Sequence, residues 1–123
     1  MKAPEPKLAA WAKRVKAEVE ARAKQKPTTL LESLAKAGPK PPPLERALRA
    51  SSPSIVAELR RKALDGTWVD RELDLAEASA EAKQGGAAAL LVATDPHVHG
   101  AIDGDISRVR GPGLPVIRYE TVI

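Results

Sequence analysis

Cysteine and phenylalanine are both absent from this 123-residue chain, and aromatic residues make up only 2% of it. Without cysteine there are no disulfides and no thiolate metal sites, and nothing beyond compatibility with cytosol is fixed about redox compartment. With so few large rings, the 43% of hydrophobic residues is mostly Ala, Leu and Val. Each buried residue then removes little area from water, at about 25 cal/mol per Å². No apolar run approaches the roughly 20 residues of a membrane-spanning helix, and the N-terminus lacks the apolar stretch of a signal peptide. A soluble cytoplasmic protein with no membrane partner is expected, of a length that suits one modest core.

Charge is unevenly placed. Residues 1–50 carry 12 Lys/Arg against 5 Asp/Glu, and residues 51–123 carry 8 against 11. The overall +4 therefore belongs to the N-terminal segment. A basic arm of this kind could serve nucleic acid or acidic lipid. It lacks the aromatic interleaving of a nucleic-acid binder, so a solvated helical face is the expectation and nucleic acid is not an expected partner.

From Lys7, the spacing Leu8, Trp11, Ala12, Val15, Val19 predicts an amphipathic helix with Trp11 as a packing anchor. Thr29-Leu30-Leu31-Glu32 has the form of a capping box and predicts a second helix running to about Ala37 and stopping at Gly38-Pro39. The proline run from Pro39 to Pro43 reads as a stiff linker, dividing a basic helical extension (1–43) from an α/β part (44–123). After a short helix over Leu44–Arg49, strands are expected at Ile55–Leu59, Ala88–Ala93 and Pro115–Tyr119. Helices are expected between them, near Asp70–Lys83 (Leu73, Ala76 and Ala80 inward, with Leu75 a further candidate) and Asp103–Val109. The middle strand is continuously apolar, as in a sheet covered on both faces, and two successive βαβ crossovers require a parallel sheet. Gly85-Gly86 and Gly111-Pro112-Gly113 lack the spacing of a phosphate-binding loop and read as helix stops and turns.

Four ordered blocks carry a resemblance. Ile55-Val56-Ala57-Glu58-Leu59-Arg60-Arg61 is similar to the first barrel strand of the indole-3-glycerol-phosphate synthase family, typically Val-Ile-Ala-Glu-Ile/Val-Lys-Arg. Gly86-Ala87-Ala88-Ala89-Leu90-Leu91-Val92-Ala93-Thr94-Asp95 resembles its Gly-Ala-Ala-Ala-Leu-Ser-Val-Leu-Thr-Asp. Gly100 to Ile106 resembles a Gly-Ser-x-x-Asp-Leu element with one insertion, and Leu114 to Thr121 resembles Leu-Pro-Val-Leu-Arg-Lys-Asp-Phe. The basic helices and the Pro-rich stretch look like the family's N-terminal extension. The resemblance implies an α/β fold with a partial TIM-barrel-like parallel sheet, preceded by the helical segment.

For activity the resemblance implies a tryptophan-biosynthetic carboxy-lyase whose catalytic lysine protonates a leaving hydroxyl. Of the family's catalytic groups, Glu58 matches. Arg60 and Tyr119 stand where the family has lysines and are expected to be non-functional, since Arg does not readily give up a proton. The family's Ser-Pro-Ser-Lys-Gly loop is replaced by Lys62-Ala63-Leu64-Asp65-Gly66. Three strands leave two open sheet edges, so a homo-oligomer or a protein partner covering them is expected. The resulting expectation is a non-catalytic synthase-like protein, with no cofactor, acting through association. The alternatives are a split synthase completed by another chain and a basic-arm nucleic-acid binder.

Asp95-Pro96-His97-Val98-His99 resembles the Asp-x-His-x-His motif of amidohydrolases. His97 and His99 are therefore candidate metal ligands, with Asp95, Asp103 and Asp105 as further oxygen donors, and a solvent-facing loop is the default expectation for the stretch. The further histidines such a centre needs are absent.

Overall fold

A computed structural model describes residues 7–63 and 65–119. The first six residues, Leu64 in the altered loop, and Glu120-Thr121 at the end of the fourth block lie outside the described residues. The chain divides into two compact units at the Lys40–Pro41 junction.

The first unit holds α1 (Lys7–Gln25) and α2 (Thr28–Ala37). On α1 the predicted apolar stripe is present but thinly covered: Val15 is buried, Trp11 and Ala12 are half-buried, and Leu8 and Val19 are exposed. Glu18 is flanked one turn away on each side by Arg14 at 3.0 Å and Arg22 at 3.9 Å, the spacing at which helical side chains meet. On α2 the predicted capping box does not form. Pro27 holds the N-cap position with no side-chain bond; its carbonyl accepts from the N–H groups of Leu30 (3.0 Å) and Leu31 (3.2 Å). The fixed φ of proline suits a helix entry, so the helix starts one residue before Thr29, which then lies inside the first turn and cannot cap it.

The second unit runs α3 (Leu44–Arg49), β1 (Val56–Leu59), α4 (Leu75–Gln84), β2 (Ala89–Ala93), α5 (Asp105–Arg108), β3 (Val116–Tyr119). The three strands are parallel in the order β1-β2-β3, with Glu58 opposite Leu91 and Leu91 opposite Ile117. The α/β class with a parallel sheet is thus present. Sequential order without a reversal is what a barrel-type sheet has; doubly wound sheets reverse at a switch point.

Register decides which side chains meet the helices, because paired residues of parallel strands point the same way. Leu59, Leu90 and Val92 form one core with Leu75 of α4 and Val109 just after α5, and Ala57, Ala78, Ala82 and Val116 pack against it. Both helical connections therefore cover the same face.

The α4 helix begins five residues later than the Asp70 start that the sequence suggests. Asp70 instead closes its own turn by accepting from Glu72 N–H at 2.9 Å. Asp74 is the N-cap, its carboxylate accepting from Ala76 (2.8 Å) and Glu77 (3.1 Å), as short acidic side chains do at helix starts. The later start also changes the buried side. Leu75, Ala78, Ser79 and Ala82 face inward at i, i+3, i+4 and i+7, whereas Ala76 and Ala80 are exposed. Ser79 is tolerated there because its hydroxyl donates to the Ala76 carbonyl at 2.8 Å.

Candidate functional site at the carboxyl end of the sheet

Past Leu59 the chain delivers Arg60, Arg61 and Lys62 in succession, and extended backbone sends alternate side chains to opposite faces. Arg60 stays with Glu58 on the face away from the helices, its Nη1 3.4 Å from Oε1, both side chains partly exposed. Arg61 turns to the helical side, is 5% exposed, and donates to both carboxylate oxygens of Asp105 at 2.7 and 3.2 Å. Lys62 reaches over the Trp68 ring, its ammonium 4.4 Å from the centroid, with the Arg71 guanidinium 4.5 Å from the same ring. Such cation–π contacts help fix an exposed ring.

Asp105 is well satisfied. Besides Arg61 it accepts from Ile102 N–H at 2.9 Å and from Arg108 at 3.1 Å. Burial by itself would raise its carboxyl; the Arg61 bonds, the Ile102 N–H and the two cationic charges outweigh burial and hold the group below its ordinary value. A buried carboxylate survives only when paired and hydrogen-bonded in this way.

The β2–α5 loop is built on Asp95, 3% exposed. Its carboxylate accepts from the N–H groups of His97 (2.8 Å) and Val98 (2.9 Å), and its carbonyl from His99 (2.9 Å) and Ala101 (3.4 Å). The loop then passes through Gly100 at φ +67°, where an added Cβ would lie 2.8 Å from the Trp68 ring. Trp68 lies directly on that backbone, with the small antiparallel bridge Lys62–Trp68 holding it there.

This loop lowers His99 into the protein. The imidazole is 1% exposed, neither ring nitrogen has a hydrogen-bond partner, and its ring lies 5.4 Å from that of Tyr119 at an interplanar angle of 39°. Burial pushes its pKa down. Asp95 opposes this, Arg60 adds to it, Glu58 opposes it, and the Lys62 backbone carbonyl, which lies outside hydrogen-bond geometry, weakly favours the imidazolium. The ring is therefore held neutral, with one N–H donor unmet.

The structure thus brings Glu58, Arg60 and Tyr119 to one face and one end of the sheet, with His99 beside them. Arg118 is not part of that set. It pairs in register with Val92 on the helical side and donates to Thr94 Oγ1 at 3.2 Å. The metal reading is not supported: His97 is exposed while His99 is buried. Asp95 is committed to backbone N–H groups and Asp105 to arginines. Among the described residues no group of three His, Cys, Asp or Glu side chains is placed to hold a metal ion.

Sequence reasoning missed Arg61–Asp105. A signal was present: alternation along the strand puts Arg61 on the side of Leu59, so a buried anion had to meet it.

Chemically the Glu58–Arg60–Tyr119 set can bind and orient a polar group. A guanidinium held against a carboxylate offers no transferable proton near neutrality, and the neutral imidazole of His99 is sealed from solvent. No protein-family model matches the chain.

Proposed function

We propose that this protein is a non-catalytic relative of indole-3-glycerol-phosphate synthase that acts by association, with a second copy or a protein partner closing its sheet. One observation carries the reading. Among the described residues β1 and β3 each have one hydrogen-bonded neighbour, β2, and the face away from the helices leaves Val56 39% exposed with Leu91 and Ile117 only half-buried. Unpaired parallel edges beside an apolar face call for further polypeptide. The replacement of the family's lysines by Arg60 and Tyr119 supports the non-catalytic part.

The mass of the purified chain in solution, measured by ultracentrifugation, tests this. An assembly larger than one chain, alone or with its partner, that reverts to a monomer in Val56→Asp but persists in Glu58→Gln is the expected outcome. A compact wild-type monomer that recruits nothing from its host would refute it. Circular dichroism of Val56→Asp separates lost association from lost folding.

The convergence of Glu58, Arg60 and Tyr119 favours a second reading, a synthase component whose remaining strands come from another polypeptide. That reading requires indole-glycerol-phosphate formation to appear on mixing with the complementary half and to vanish with Glu58→Gln.

A further inference from the structure

The second helix of the N-terminal unit is covered by nothing within the described structure of that unit. Every residue of α2 is exposed, yet Leu30, Leu31 and Leu34, 47%, 49% and 60% exposed, lie with Ala37 on one side of it at i, i+1, i+4 and i+7. A ten-residue helix is too short to be stable in water on propensity alone, and a leucine stripe left in water is a contact surface awaiting an occupant.

The charges around the stripe identify the occupant. Every lysine from Lys7 to Lys40 is exposed, and among the described residues none of them is in an ion pair. Lys24 and Lys26 precede α2, and Lys40 follows it. The arginines of α1, Arg14 and Arg22, are instead engaged with Glu18. On α2 the one acidic side chain, Glu32, falls on the helix side opposite the leucines, where Lys36 is one turn away. The leucine stripe is therefore bracketed along the chain by exposed ammonium groups, Lys24 and Lys26 before it and Lys40 after it.

Contrary to the expectation of no membrane partner, we infer that this unit docks on an anionic lipid surface, the leucines of α2 entering the headgroup boundary and the neighbouring lysines meeting acidic headgroups. Leucine and lysine together are the composition of interfacial helices, and juxtaposed lysines are drawn to anionic leaflets. Protein interfaces instead deplete lysine and anchor on Trp, Tyr and Arg; here Trp11 is half-buried and both arginines are engaged. Nucleic acid would use the lysines but give the leucines nothing to do, and no exposed aromatic is present in the unit for stacking. This surface involves neither the sheet edges nor the Glu58 cluster, so it holds or fails independently of the function proposed above.

The test is co-sedimentation of the full chain with vesicles, either phosphatidylcholine alone or phosphatidylcholine with about 30 mol% phosphatidylserine. Binding to the mixed vesicles and not to the neutral ones is expected, with release at about 0.5 M salt as the surface charge is screened. Leu30→Ser/Leu34→Ser should lower the partition coefficient by at least about tenfold, since even about a third of the exposed leucine area withdrawn from water supplies that much. Lys24→Gln/Lys26→Gln should lower it at low salt only. Because α2 buries no side chain, these variants keep the fold, which circular dichroism verifies. Wild-type chain left in the supernatant, or leucine variants that bind unchanged, would overturn the inference. So would a leucine double variant that alters the mass of the assembly while vesicle binding stays the same, since the stripe would then be a protein contact.

Discussion

Replacing Asp105 by Asn keeps the shape of the side chain while removing the charge that neutralises Arg61. Arg61 is 5% exposed and Asp105 2% exposed, joined by two bonds of 2.7 and 3.2 Å. The variant leaves a guanidinium buried against a neutral amide, and removing one member of a buried pair costs about 3–5 kcal/mol. Against a total stability of about 5–15 kcal/mol for a domain, and with a core poor in large rings, this brings the second unit close to its unfolding threshold. Urea denaturation at fixed protein concentration, followed by circular dichroism, should show a large fall in midpoint with little change in slope. Replacing both partners, in Arg61→Met/Asp105→Leu, should cost less than Asp105→Asn alone, because no buried charge is then left unpaired and the half-exposed Arg108 is solvated by water. A pH titration adds an independent check. The folded carboxyl is held below its ordinary value, so its contribution is present above the unfolded pKa of about 3.9 and is lost as pH falls through the lower folded value. An Asp105→Asn variant losing less than about 1 kcal/mol would place the pair in a solvated setting and rule out a buried ion pair here.

Two further substitutions probe the same end of the sheet. His99 has a folded pKa below its ordinary value, so the unfolded state binds the proton more readily. Stability should be full above about pH 6.5 and fall as pH drops toward the folded value. His99→Phe should flatten that slope and, by removing an unmet donor worth about 1–3 kcal/mol, raise the urea midpoint; an unchanged slope would contradict the buried neutral ring. Gly100→Ala combines a φ of +67° with a Cβ placed 2.8 Å from the Trp68 ring. It should destabilise by about 1–3 kcal/mol and shift Trp68 emission to the red; a variant with wild-type emission and midpoint would show that the ring is not seated on this backbone.

How far the sequence announced this arrangement depends on the range of the interactions involved. The strands were legible because each is a short aliphatic run that register then pairs, and every strand begins within one residue of its expected position. The α4 boundary was not, since Asp70 and Asp74 are equally good short-range acceptors, and only the position of Leu75 against Leu59 and Leu90 decides between them. That choice rotates the whole helix, exchanging Ala76 and Ala80 for Ala78, Ser79 and Ala82. The site divides along the same line. Glu58, Arg60 and Tyr119 could be placed on one face from strand alternation plus the resemblance. Arg61–Asp105, 44 residues apart, could be anticipated only as a buried cation needing some anion. His97 and His99 part company, although a two-residue spacing suggests a shared ligand. Here Asp95 folds the loop by accepting from His97 and Val98, leaving one imidazole in water and the other under the sheet's end. The difference has a chemical consequence. The Asp-x-His-x-His run acts as a folding motif whose carboxylate is consumed by its own backbone, and what it delivers to the Glu58 cluster is a neutral ring packed on Tyr119.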